Sequence, residues 1–69
     1  MERLAGPTSA RLDQIVLILH AGRDLVLCVD DDATADRYLE ALRLRCPFTV
    51  IARETLIDGV LVKIGPLAN

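Results

Sequence analysis

Tryptophan is absent from this chain, and Tyr38 and Phe48 are its only aromatic residues. A nucleic-acid surface built on stacked rings therefore has almost nothing to stack on. His20 is the single histidine, and Cys28 and Cys46 are the only cysteines. No CxxC or paired Cys/His spacing exists, which argues against a structural zinc site. The four glycines make no GxGxxG or other phosphate-cradling loop. No long hydrophobic stretch is present: the longest unbroken apolar run is Ile15 to Leu19, far too short for a membrane span. A basic start followed by a long apolar stretch, the mark of a secretory signal, is also missing. The expectation is a cytoplasmic protein with reduced thiols and no membrane association. Charge of one sign does not accumulate either: 8 basic and 10 acidic residues leave a net charge of −2 and no charged tail.

What is present is a 69-residue chain, 52% hydrophobic and 26% charged. That length makes one domain, and the composition is that of a globular one. Ordering it costs on the order of 100 kcal/mol of conformational entropy, which a small core barely offsets. Chains of this size often lean on a staple, a metal or a partner. Self-association is the expected source of extra burial.

Residues 1–13 read as a polar N-terminal arm containing the breaker pair Gly6-Pro7. Residues 14–65 form the compact domain, and 66–69 a C-terminal tail. Within the domain, Ile15–Leu19 and Leu25–Val29 are short apolar runs rich in β-branched residues, joined by a Gly-containing loop. They read as a β-hairpin. The competing reading is a helix from Ser9 to Ala21, with Leu12, Ile15, Val16 and Leu19 on one face and Gly22 just beyond its end. Asp32 can cap a helix from Ala33 to about Arg45, with Ala35, Tyr38, Leu39 and Leu42 on one face. Pro47 stops it. Phe48–Ala52 reads as a strand, Arg53–Asp58 as a connection with Asp58-Gly59 as its turn, and Val60–Ile64 as an alternating strand. The expected fold class is α+β: a two-layer sandwich of one helix on a four-stranded, mostly antiparallel sheet, in the order β-β-α-β-β.

Chemistry-bearing groups are sparse. Asp30-Asp31-Asp32 follows an apolar strand and opens a helix. Adjacent carboxylates in that position can hold Mg²⁺, or they can simply start the helix. Leu25 to Asp32 with the helix behind it resembles locally the start of a response-regulator receiver domain. The resemblance covers about twenty residues and implies an acidic pair that binds Mg²⁺ beside a phospho-accepting Asp on a later strand. Here the later strand, Val60 to Ile64, carries Lys63 and no Asp. A degenerate receiver-like acidic site is therefore one alternative function. A second alternative is a nucleic-acid-binding regulator using Arg43, Arg45 and Arg53, although net −2 disfavours nucleic acid as a partner. His20 has only Asp24 nearby, Cys28 reads as a buried strand thiol, and Cys46 sits at the negative end of a helix dipole. No catalytic residue and no cofactor is expected, and the chain is read as a non-enzyme.

Surfaces say more. Strands apolar at every position are apolar on both faces, and one helix covers only one face. Exposed apolar patches mark interaction sites. The expected function is a small protein-binding module, a regulator, inhibitor or assembly factor, homodimeric through an apolar sheet face. Its candidate partner-binding residues are Ile15, Leu17, Leu19 and Val26, with Leu44 and Arg37 on the outer side of the helix.

Overall fold

The computed structural model describes residues 5–67. The first four residues of the expected N-terminal arm, and Ala68 and Asn69 of the tail, lie outside the described residues. The elements run α1 (Ser9–His20), β1 (Leu25–Val29), α2 (Asp32–Arg43), β2 (Phe48–Leu56) and β3 (Gly59–Pro66). The fold is α+β, with a three-stranded antiparallel sheet and two helices. It is not a four-stranded sheet with one helix. β3 is the central strand, in the order β1-β3-β2.

The correction falls on Ile15–Leu19. This run lies in α1, where Leu12, Ile15 and Leu19 are buried at three- and four-residue steps. Both ends of the helix are secured. The Thr8 hydroxyl accepts the Arg11 N–H at 3.3 Å. At the far end Gly22 has φ 77°, its N–H reaches Leu19 O at 3.0 Å, and the Arg23 N–H reaches Ile18 O at 3.2 Å. That pair of bonds is a Schellman stop, which calls for a residue at ease with positive φ. β-branched content is a weak local preference. Here it yields to one buried stripe with an intact cap at each end.

The other elements lie close to their expected places. β1 spans Leu25–Val29 as read. In α2 the buried residues are Ala35, Tyr38, Leu39 and Leu42, as the spacing requires. Its cap is Asp31 rather than Asp32: the Thr34 N–H donates to Asp31 Oδ1 at 2.7 Å. β2 runs on through Arg53–Leu56, which had read as a connection, and the hairpin turns at Ile57-Asp58.

Both helices pack against one face of the sheet. Leu27 and Val29 from β1 and Val60, Val62 and Ile64 from β3 meet Leu12, Ile15 and Leu19 of α1 and the buried face of α2. Fully burying such an aliphatic side chain contributes roughly 1.5–3 kcal/mol. Tyr38 is also fully buried, and its hydroxyl donates to the Ala5 carbonyl at 2.7 Å, holding the chain ahead of α1 against α2. No helix among the described residues is long and apolar enough to cross a membrane.

Candidate functional site

Side chains alternate across each strand, so the register maps the sheet face that the helices leave open. Val26 lies opposite Lys63, and Cys28 opposite Leu61. On the other side of β3, Ala52 lies opposite Lys63 and Glu54 opposite Leu61. These positions alternate with the buried Leu27, Val62 and Ile64, so they share the helix-free face. Val26 is 47% exposed, and Cys28 and Leu61 are half-buried. Ile51, also 47% exposed, joins them: its Cδ1 lies over Gly65, where a Cβ would come within 3.0 Å of it. The Asp24 carboxylate covers the same glycine at the end of the face.

A β-bulge decides which charges lie where. Val50 pairs with Ile64 and Ala52 with Lys63, which leaves Ile51 as an extra residue. The extra residue reverses the alternation beyond it. Arg53 then points to the helix side, where it donates to Asp32 Oδ1 at 2.7 Å and Asp36 Oδ1 at 2.9 Å. Glu54 points to the open face. Without the bulge, Glu54 would face the two α2 carboxylates and like charges would meet.

The expected site residues scatter. Ile15 and Leu19 are core residues, because the segment is a helix and they form its inner stripe. Leu17 is on the outer side of α1 at 68% exposure, and Leu44 caps α2 at 90%. Arg37 is exposed on α2. Only Val26 stands on the open sheet face. The residues missed there are Ile51, Glu54, Leu56, Leu61 and Lys63. The signal for Leu61 and Lys63 was available, since they alternate with Val60, Val62 and Ile64. The β2 residues were hidden by the bulge.

The alternative sites are occupied from within. Asp31 accepts the Thr34 N–H, and the Thr34 backbone and hydroxyl hold its carboxyl below the usual range, with a smaller pull from Arg37. Asp32 is paired with Arg53. Among the described residues no group of three or more His, Cys, Asp or Glu side chains converges on a cation position. Of the three arginines read as a nucleic-acid patch, Arg45 pairs with Asp13, Arg53 with Asp32 and Asp36, and Arg43 stacks 5.7 Å over the Phe48 ring. His20 ends α1, exposed.

Neither a family model, nor a curated protein, nor a solved structure is significantly similar to this chain. The candidate site is the open sheet face. That face is apolar at Val26, Cys28, Ile51, Leu56 and Leu61, while β2 is exposed on both of its faces after Phe48, at Val50 and Thr55 on the helix side as well.

Proposed function

We propose that this chain is a non-enzymatic protein-binding module, a regulator, inhibitor or assembly factor, that self-associates through the helix-free face of its sheet. The observation that carries the reading is that face: an apolar surface on regular strands, covered by no element of the described chain. A lone exposed Leu such as Leu44 is ordinary on any protein. Several apolar side chains contiguous on one sheet face are not. The two free cysteines fit a reducing compartment, the cytoplasm. Neither the acidic-site nor the nucleic-acid reading gains an observation, because the groups each would use are engaged inside the chain.

Sedimentation velocity tests the proposal. The 69-residue chain is expected to shift from monomer to dimer below about 100 µM, the range of weak but specific association. Val26→Asp is expected to leave a folded monomer by circular dichroism, because it charges the open face and not the core. A wild-type chain that stays monomeric throughout that range would sink the self-association reading.

A further inference from the structure

We infer that the occupant of the open face is the same face of a second copy, set in register by Lys63 and Glu54 pairing in trans. The inference rests on the self-association reading above and deepens it. Lys63 lies on the central strand opposite Ala52, and Glu54 on β2 opposite Leu61. The two are diagonal neighbours on one face. Both are exposed, and neither makes an ion pair or side-chain hydrogen bond among the described residues. The other side of the sheet is different: there Arg53 is held by two carboxylates.

Lys63 and Glu54 are the charged side chains in the middle of this apolar face, with the Asp24 carboxylate at its end over Gly65, and they constrain the occupant. A wholly apolar partner would desolvate both charges and leave them only each other across the diagonal, which is costly. A surface of one sign would satisfy one and repel the other. A second copy related by a two-fold axis satisfies both, because an isologous contact is reciprocal. Lys63 meets the partner's Glu54, and Glu54 meets the partner's Lys63. Strands lie about 4.8 Å apart, and side chains on one face repeat about every 6.8 Å along a strand. On that grid the axis bisecting the Lys63–Glu54 diagonal runs beside Leu61 and Cys28. Each of these meets its own copy near the axis, while Val26 falls towards the partner's Leu56. Apolar contacts thus flank the charged pairs, and Asp24 stays at the rim over Gly65.

Charge reversal in trans is the test. Lys63→Glu alone and Glu54→Lys alone each place like charges at both contacts. Each is expected to weaken self-association by about 100-fold, since like-charge juxtaposition costs several kcal/mol. An equimolar mixture of the two variants juxtaposes opposite charges at both contacts. It is expected to form a heterodimer about as strong as the wild-type dimer, seen by sedimentation and by native mass spectrometry. A pair formed only within one chain predicts no such rescue. If the wild type dimerises and the mixture stays monomeric, the Lys63–Glu54 register is wrong while the self-association reading stands. If the wild type never dimerises, both fall. Should either reversal unfold the chain by circular dichroism, an alanine double-mutant cycle at the two positions replaces it. Coupling in the dimer constant supports the register, and additivity overturns it.

Discussion

At Gly22 a single backbone angle decides where the first helix stops. Its φ of 77° lies in the left-handed region, and a Cβ built there meets nothing within 4 Å. The cost of a side chain at this position is therefore conformational and not steric. Gly22→Ala is expected to destabilise the fold by about 1–2 kcal/mol, the penalty of left-handed backbone for an ordinary residue. Gly22→Asn, which tolerates that region better, is expected to cost clearly less. Urea melts of the three proteins check the order, and equal midpoints for Gly22 and Gly22→Ala would show that the Schellman stop contributes nothing. Asp31 plays the matching part at the start of α2, and Thr8 at the start of α1. Both helix N-caps thus accept a backbone N–H. Within the acidic triplet, Asp31 caps α2 and Asp32 anchors Arg53.

At the scale of elements, α1 carries the hardest reading of the sequence. Ile15–Leu19 contains three Ile or Val residues in a row of five, which favours a strand, yet the neighbouring Thr8, Leu12 and Gly22 favour a helix. The structure resolves the competition through burial. Leu12, Ile15 and Leu19 fit one stripe against the sheet, while Leu17 faces outward. Ile15→Ala and Leu19→Ala are each expected to cost about 2–5 kcal/mol, as for deleted core side chains. Against a total stability of order 5 kcal/mol, such losses leave much of the chain unfolded. Leu17→Ala is expected to change stability by no more than about 0.5 kcal/mol. Thermal unfolding of the three variants reads this directly, and an effect recurring every second residue would return the segment to a strand. Elsewhere the pattern was legible because two signals agreed. α2 had both a helical apolar face and an acidic start, and β3 had a clean alternation at Val60, Val62 and Ile64. β2 was legible only up to its bulge. Beyond Ile51 the alternation changes phase, and Arg53-Glu54-Thr55 looks like a polar loop. A charged residue on each face of an edge strand gives that appearance. Charges and a bulge are also the devices that keep such an edge from pairing indiscriminately.

For the whole molecule, the size of the open face bounds how tightly the proposed dimer can hold. Three strands are about 15 Å wide, and nine residues of β2 extend about 30 Å. The plan area is therefore on the order of 400 Å², well short of the roughly 800 Å² per partner of a standard stable interface. If the chain pairs through this face as proposed, a footprint this small is expected to give a dimer that exchanges at micromolar concentration and not an obligate one. Such a dimer has a built-in reporter. Cys28 lies on the open face, half-buried, near the proposed two-fold axis, whereas Cys46 is buried in the core. Alkylation of Cys28 is expected to be fast in dilute protein and to slow several-fold as concentration rises through the dimer constant, because the attacking reagent needs the face uncovered. Cys46 is expected to react slowly at every concentration, since only unfolding exposes it. Mass spectrometry of the modified chain after timed quenching separates the two sites. If sedimentation shows a dimer while the Cys28 rate ignores concentration, the contact lies elsewhere, on the five-residue apolar edge of β1. That edge has no charge or bulge to guard it, and pairing there would leave Cys28 as open in the dimer as in the monomer.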